Sequence, residues 1–317
     1  VIASINANDV CLGNPSNFSQ SSSVPNTNGS TINQYLWSFG NGNTSTNPGP
    51  AYTYPNAGSY NAQLMVTTNF GCTDTLQTNV LVNPNPLLSN LSLSNVCMGN
   101  ATSLNAGISI PNINGASIAS QTWDMGDGTQ LSGSNLNHNY LNPGLFVVQG
   151  TISSNQGCAL QVTDTALVFP NPSASLASAN TVCEETATSF NGNASISAVN
   201  GAAIASYQWN FGDGNTANTQ NPSHNYATWG NYNYLMVVSS NHGCLDTLFG
   251  NATVHPKPVA QFDLPGHCGG SPMPLTDFSS IPAGSIDTYL WTSSDGLNSG
   301  QQNPGSTLAQ GHQQVTL

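Results

Sequence analysis

The sequence has almost no basic side chains and few charges of either sign. Its 317 residues contain a single lysine or arginine, Lys257, against 13 acidic residues, and charged residues make up only 4% of the chain. Nucleic acid is therefore not expected as a partner, because a phosphate backbone is bound through Lys and Arg. Salt bridges cannot be a general stabilising device, so cohesion must come from apolar burial and backbone hydrogen bonds.

Long apolar runs are also missing. No stretch of about 18 apolar residues occurs, so no membrane span is predicted. The chain opens without Met or a signal-like segment, and we expect any secretion signal to have been removed or to lie outside it. Its 5 Trp, 10 Tyr and 10 Phe residues nevertheless argue against disorder. The composition predicts a folded extracellular protein with a polar, nearly neutral surface.

A period of 86 residues organises the sequence. Cysteines recur at positions 11, 97 and 183 and again at 72, 158 and 244, while tryptophans recur at 37, 123 and 209. Pro-x-Pro joints at 84–86, 170–172 and 256–258 keep the same interval. We therefore predict full repeats at 1–86, 87–172 and 173–258, and an incomplete fourth repeat at 259–317. The fourth stops within its penultimate expected strand, which predicts either a longer array or a sandwich open to a neighbour's strand.

Each repeat has the pattern of a small all-β domain. Segments such as 60–68, 145–154 and 232–240 are rich in β-branched and aromatic residues and are bounded by Gly, Asn and Pro. About seven short strands in such a unit fit an immunoglobulin-like β-sandwich better than a barrel or a propeller. Because Pro-x-Pro joints are short and stiff, we expect the domains to follow one another end to end as a rod.

The cysteines favour one disulfide within each repeat. The predicted pairs are Cys11–Cys72, Cys97–Cys158 and Cys183–Cys244, with a partner for Cys268 roughly ten residues beyond Leu317. Closing such a loop contributes about 4 kcal/mol in the chain-entropy model. Zinc is the competing interpretation, but two thiolates without suitably spaced histidines make a poor site.

Three short motifs occur together in the third repeat. They are "WNFGDG" at 209–214, "NPSHNY" at 221–226 and "GNY" at 230–232. Repeat one has "WSFGNG", repeat two has "WDMGDG", and repeat four keeps Trp291 and "SDG". This combination resembles the polycystic-kidney-disease-type (PKD) domain. The resemblance implies a β-sandwich that serves as a spacer or interaction module outside the cell. The cysteine-bearing version is similar to repeats of very large surface proteins in gliding and biofilm-forming bacteria.

The acid of "WNFGDG" is a candidate site residue. Its position holds Asn41, Asp127, Asp213 and Asp295 in the successive repeats. A general acid or nucleophile cannot be replaced by an amide, so a shared catalytic role is not expected. A tight turn, with glycines at positive φ and the side chain bonding backbone amides, is the favoured interpretation. Calcium is the alternative, with oxygens from Asp124, Asp127 and Asp213, although such a site needs about six to eight ligands.

Recurring aromatic residues are predicted to be structural. Trp37, Trp123, Trp209 and Trp291 precede the turn, and core packing is favoured over stacking on sugars. Tyr54, Tyr140 and Tyr226 should anchor a strand through a hydroxyl-to-backbone bond, as in a tyrosine corner. Trp229 occurs in one repeat only, and packing or a surface contact would account for it.

Histidines and threonines offer weaker candidates. His138 and His224 align with Tyr52, so no shared metal site is expected, and His267 beside Cys268 lacks a third group to orient it. The sequences "DTL" and "DTA" resemble a bacterial O-glycosylation acceptor. They nominate Thr75, Thr165 and Thr247, with ordinary strand threonines as the alternative.

No constellation of acid, base and nucleophile is present, so an enzyme is not expected. The sequence favours a non-catalytic structural segment of a long extracellular bacterial surface filament or adhesin stalk, acting in adhesion, motility or biofilm. The alternative is an accessory module that attaches a secreted hydrolase to a polysaccharide or protein. Expected partners are like chains in a filament and surface glycans, and apart from calcium no cofactor is expected.

Overall fold

The computed structural model describes residues 1–25, 28–179, 181–264, 273–306 and 314–317. It divides into two compact units, Val1–Pro170 and Asn171–Leu317, and each is described by itself. Within the residues described, no helix has the length and apolar character of a membrane span. His267 and Cys268 lie outside the described residues, so the predictions made for them are not addressed.

The first unit contains repeats one and two. The strands of repeat one are β1 (Asn6–Ala7), β2 (Val10–Cys11), β3 (Ser16–Ser19), β4 (Ile32–Ser38), β5 (Thr44–Ser45), β6 (Ala51–Tyr52), β7 (Gly58–Thr68) and β8 (Thr73–Asn83). Those of repeat two are β9 (Leu87–Leu93), β10 (Val96–Cys97), β11 (Thr102–Ser109), β12 (Ile118–Asp124), β13 (Gln130–Ser132), β14 (Asn135–His138), β15 (Gly144–Ser154) and β16 (Ala159–Phe169).

The second unit begins with repeat three. Its strands are β17 (Ser173–Ala179), β18 (Val182–Cys183), β19 (Thr188–Ser195), β20 (Ile204–Asn210), β21 (Thr216–Ala217), β22 (Ser223–His224), β23 (Gly230–Ser240) and β24 (Leu245–His255), with a 3-10 turn at Val199–Gly201. The strands that follow are β25 (Phe262–Asp263), β26 (Met273–Pro274), β27 (Thr276–Asp277), β28 (Trp291–Ser293), β29 (Asn298–Ser299), β30 (Gly305–Ser306) and β31 (Val315–Thr316).

The same two sheets recur in repeats one, two and three. In the part of the chain that the structure describes, repeat one has a sheet of order β2-β8-β7-β4-β5 and a second of order β1-β3-β6. Repeats two and three repeat the first order as β10-β16-β15-β12-β13 and β18-β24-β23-β20-β21. In each, a long antiparallel hairpin forms the middle, and a short early strand pairs in parallel with the last one. This is the immunoglobulin-like sandwich that the sequence predicted.

Alternation along the long strands builds the core. In β7 the side chains of Ala62, Leu64 and Val66 are fully buried, because successive residues of a strand point to opposite faces. Trp37 of the neighbouring strand and Phe18 of the second sheet complete the same cluster. Each sandwich is therefore closed around one buried tryptophan. The predicted core tryptophans are confirmed, with Trp37, Trp123, Trp209 and Trp291 exposed by 2% or less.

Candidate functional site

A disulfide joins repeat one to repeat two. Cys11 is bonded to Cys158, with a Cα–Cα distance of 5.5 Å and a sequence separation of 147. Cys11 ends the short early strand of repeat one, and Cys158 follows the hairpin turn of repeat two. Cys158 is almost completely buried, at 1% exposure. The joint between the two domains is therefore covalent as well as packed.

The predicted pairings within repeats are wrong. Cys11–Cys72 and Cys97–Cys158 are excluded because Cys11 is bonded to Cys158, and Cys183–Cys244 is excluded because Cys183 is a free, exposed thiol. Cys72 is free and exposed as well. Cys97 and Cys244 are both disulfide-bonded.

The geometry of the last strand explains the error. Cys11 lies beside Asn83, at the end of β8, whereas Cys72 immediately precedes Thr73, at its start. An 11-residue strand is roughly 35 Å long. A disulfide needs Cα atoms within about 7 Å of each other. The two cysteines of one repeat thus lie at opposite ends of the sandwich, too far apart to bond to each other.

Hydrogen bonds from repeat two support this joint. The Asn114 side-chain amide donates to the carbonyl oxygens of Gly58 and Val82 in repeat one, at 3.2 Å each. Asn114 adopts a left-handed φ of 54°, a conformation that Asn tolerates better than most residues. The Gln156 side chain in turn donates to the Asn114 carbonyl at 2.5 Å. The joint combines a covalent bond with directional contacts that fix its register.

The candidate acid forms the predicted tight turn. In each full repeat its side-chain oxygen accepts a bond from the backbone N–H two residues later. Asn41 accepts this bond from Asn43 at 3.2 Å. Asp127 accepts it from Thr129, and Asp213 from Asn215, at 3.0 Å each. The flanking glycines have φ values from 81° to 92°. The interpretation as a turn is confirmed, and the side chain stabilises it locally.

A second residue clamps each turn. His138 Nε2 lies 2.7 Å from the Asp127 carboxylate, and His224 Nε2 lies 2.8 Å from Asp213. In repeat one the Asn41 amide donates to the Tyr52 hydroxyl at 3.0 Å. An acid is thus paired with histidine and an amide with tyrosine at the same two positions. These residues occupy equivalent positions in the aligned repeats, but the alignment alone did not predict that their side chains are in contact.

The clamps change the acidity of the turn carboxylates. Partial burial alone would raise the pKa of Asp127, but hydrogen bonds from His138 and Thr129 outweigh it and leave this pKa below its usual value. The same opposition lowers the pKa of Asp213, where Asn215 and His224 supply the bonds. Both carboxylates are therefore ionised at neutral pH and act as acceptors.

The calcium candidates are engaged in these turns. Asp124 accepts a bond from the Gly126 N–H at 2.9 Å, and Asp127 and Asp213 hold the clamps described above. Over the described ranges, no group of three or more His, Cys, Asp or Glu side chains is placed to hold a metal ion. Calcium binding stays a prediction, while the observed role of these carboxylates is structural.

Exchanging the clamp of repeat three for that of repeat one tests its contribution. We expect Asp213→Asn to destabilise repeat three by about 1 kcal/mol, because His224 loses a charged acceptor. The double variant Asp213→Asn with His224→Tyr reproduces the pair of repeat one and should recover most of the loss. Guanidinium unfolding at pH 7 provides the measurement.

The same clamp predicts a dependence on acid. The folded pKa of Asp213 lies below its unfolded value, so its stabilisation is complete above pH ~4 and disappears as the pH falls through the folded pKa. Between pH 7 and pH 2 the double variant should therefore lose less stability than the native chain. Equal losses in the two proteins would contradict a contribution from the carboxylate.

The tyrosine anchors are confirmed. The hydroxyls of Tyr54, Tyr140 and Tyr226 donate to backbone carbonyls of Phe39, Met125 and Phe211, at 3.0, 2.9 and 3.1 Å. Burial, followed by the neighbours Tyr52 and Tyr60, raises the pKa of Tyr54 to about 12. The hydroxyl therefore remains a neutral donor at any physiological pH. Each anchor ties the strand after the Pro-rich corner to the base of the acid turn.

Comparison with known families agrees with this arrangement. A family model described as "PKD domain" matches residues 1–82, 83–168 and 170–255. The chain belongs to the PKD domain family. The buried tryptophan, the clamped turn and the tyrosine anchor are thus features of three PKD repeats.

PrtV and Epp match short parts of the PKD array. The pre-pro-metalloprotease PrtV of Vibrio cholerae serotype O1, strain M66-2, is 49% identical over 57 residues, which is 18% of this chain and 6% of that protein. Among solved structures, the PKD1 domain of V. cholerae metalloprotease PrtV is 34% identical and covers 26% of this chain and 98% of that one, with a TM-score of 0.23. The PKD1 domain of Vibrio anguillarum Epp is 23% identical over 27% of this chain and 95% of that one, with a TM-score of 0.24.

Tandem PKD repeats are typically non-catalytic modules, and both PKD domains and disulfides are typical of extracellular proteins.

The threonines nominated for glycosylation, Thr75, Thr165 and Thr247, are exposed on their strands. The acid before Thr75 has a structural partner, because Asp74 accepts the Ala3 N–H at 2.8 Å. Glycosylation stays a prediction that mass spectrometry of the native protein would test.

Trp229 is 44% exposed, so the surface-contact interpretation fits it better than packing.

Proposed function

We propose that this PKD array is a structural segment of a long extracellular bacterial surface filament or adhesin stalk. One observation carries the proposal: the Cys11–Cys158 bond makes the joint of two successive domains covalent. A stalk must transmit force between its ends without coming apart. Adhesion, motility and biofilm formation all load surface proteins in this way.

The position of the bond suits a load-bearing role. Tension applied at the chain ends passes from Cys11 directly to Cys158 through the disulfide. The residues between them lie inside a covalent loop and bear no tension through the main chain. The segment from Leu12 to Gly157, which includes β3 to β15, is therefore protected from extension even where its hydrogen bonds are weak, whereas β16 lies outside the loop. A polar surface with little charge would also permit lateral contact between like chains. The partners we propose are therefore like chains and surface glycans.

Single-molecule extension of the full chain tests this role. In a chain that carries Cys97→Ser and Cys244→Ser, since the native Cys97 and Cys244 are also disulfide-bonded, full extension under oxidising conditions should be shorter than under reducing conditions by about 500 Å, because 147 residues span roughly 3.5 Å each. Cys72→Ser serves as a control that should leave this difference unchanged. Equal extensions with and without reductant would contradict a load-bearing disulfide.

A second candidate function is an accessory module of a secreted hydrolase. It is favoured by the sequence match to PrtV, whose name describes a metalloprotease. An accessory module should bind an insoluble substrate, and Trp229 offers an exposed aromatic surface for it. Retention of the chain on chitin or collagen particles, reduced by Trp229→Ala, would favour this role. The stalk proposal expects no retention beyond that of the variant.

A further inference from the structure

The end of repeat two that contacts repeat one has a counterpart on repeat one itself. On repeat two this end carries Asn114, Gln156 and Cys158. Positions 86 residues earlier carry Asn28, Phe70 and Cys72, which we call the repeat-docking face. The face belongs to the unit Val1–Pro170 and lies at the opposite end of repeat one from Cys11.

The backbone of the repeat-docking face has the same shape as its counterpart. Asn28 has a φ of 54°, as Asn114 does, and Gly71 has a φ of 80° against 79° for Gly157. The hairpin turn before Cys72 is closed by the bond from the Thr68 N–H to the Cys72 carbonyl at 2.9 Å. Its equivalent in repeat two, from Ser154 to Cys158, measures 2.8 Å.

A side-chain brace is also shared between the two ends. The Asn69 side chain accepts the Thr31 N–H at 3.1 Å and donates to the Gly29 carbonyl at 3.1 Å. Asn155 makes the matching bonds in repeat two, at 2.9 and 3.1 Å. Repeat one therefore holds this geometry through bonds within the repeat itself.

Exposure distinguishes the two ends. Cys158 is 1% exposed and bonded to Cys11, whereas Cys72 is an exposed free thiol. Phe70, two residues before Cys72, is 63% exposed and adds an apolar side chain to the same surface. An apolar side chain and a thiol at the same preformed surface indicate a contact that covers both.

We propose that the repeat-docking face binds another PKD repeat, and that the cysteine of that repeat at the position of Cys11 forms a disulfide with Cys72. The incoming repeat would offer two carbonyls to the Asn28 side chain, as Gly58 and Val82 do for Asn114. It would also cover Phe70. This inference rests on the observed joint and holds for a stalk and for an accessory module alike.

The bond-forming step requires an oxidant. Two thiols lose two protons and two electrons as the sulfur–sulfur bond forms. Oxidised glutathione accepts them and becomes two molecules of reduced glutathione. A protein disulfide accepts them through thiol exchange and becomes two protein thiols. A protein disulfide is the oxidant of the bacterial periplasm, and glutathione serves as the oxidant in the refolding experiment below.

Adding one repeat ahead of the full chain tests the proposal. A second copy of residues 87–172 is placed before Val1, so that its own Pro-x-Pro joint leads into repeat one. In this copy Cys158 is replaced by Ser, and the copied Cys97 then stands 147 residues before Cys72, the interval of the Cys11–Cys158 bond. After refolding with oxidised and reduced glutathione, Cys72 should become inaccessible to a maleimide, although it reacts fully in the native chain.

Chymotryptic peptides analysed without reduction should link Cys72 to the copied Cys97. Replacing only the copied Cys97 by Ser is the matched control, and it should restore full labelling of Cys72. The Cys11–Cys158 peptide, measured in the same digest, reports that the native joint has formed. If the added repeat is digested by proteinase K, a copy of residues 1–86, with its late cysteine replaced by Ser, takes its place.

Two outcomes would overturn the proposal. The first is full labelling of Cys72 while the added repeat resists proteinase K and the Cys11–Cys158 peptide is intact. Alternatively, Cys72 could be linked to Cys72 of a second chain, which would make the face a site for dimers instead of successive repeats.

Discussion

Replacing Cys11 and Cys158 together by serine is expected to cause a large loss of stability in repeats one and two. The disulfide closes a covalent loop of 147 residues, and the chain-entropy model assigns about 5 kcal/mol to a loop of that length. This amount arises because the bond restricts the unfolded chain. A further loss is expected at the joint, since Cys158 is buried against repeat one and its bond holds the Asn114 contacts in register.

Guanidinium unfolding followed by tryptophan fluorescence measures this effect. The double variant should unfold at a lower denaturant concentration than the native chain, and reductant should shift the native chain further than the double variant, which keeps the bonded Cys97 and Cys244. Cys72→Ser is the matched control, because Cys72 is exposed and unbonded. The expected stabilisation is absent if the double variant and Cys72→Ser unfold at the same denaturant concentration.

Features set by local patterns could be read from the sequence. The 86-residue period, the alternation in strands such as β7 and the tryptophan before the turn predicted the sandwich and its core. The tyrosine anchor followed as well, because its position relative to the turn is constant in sequence. Each of these depends on residues within one repeat, whose spacing along the chain fixes their relation in the fold.

The disulfide pairing depended on information that spacing does not contain. An interval of 61 residues within a repeat and one of 147 between repeats are equally regular in the sequence. The choice between them follows from which end of the sandwich each cysteine occupies. That is set by the parallel pairing of β2 with the end of β8, a contact between residues distant in the chain. Two-residue strands such as β2 give too weak a pattern to reveal their register.

The clamp of the acid turn was detectable but was missed. Where the turn has Asn41 the partner is Tyr52, and where it has Asp213 the partner is His224. This joint change of two positions between repeats is the signal of a contact. Considering each histidine alone, as a possible metal ligand, concealed it. Repeats within one chain supply comparisons of the same kind that related sequences do.

The second large effect is expected at the first glycine of the turn. Gly212→Ala should destabilise repeat three by about 3 kcal/mol or more, from two causes that add. Gly212 has a φ of 86°, which side chains with a Cβ disfavour, and an added Cβ would collide with the backbone carbonyl of Asn233 on β23. The equivalent glycines of repeats one and two face the same obstacle, at 2.7 Å for Gly40 and 2.6 Å for Gly126. The carbonyl cannot retreat without disturbing a strand paired on both sides.

Gly214→Ala separates the two causes, because Gly214 has a φ of 92° but nothing within 4 Å of an added Cβ. It bears the backbone strain alone, so we expect a loss of about 1 kcal/mol. Guanidinium unfolding of both variants beside the native chain gives the comparison, and the difference between them measures the close approach of the turn to β23. Equal losses at the two glycines would mean that β23 moves to accommodate the added methyl group. Backbone conformation alone would then account for glycine at both turn positions.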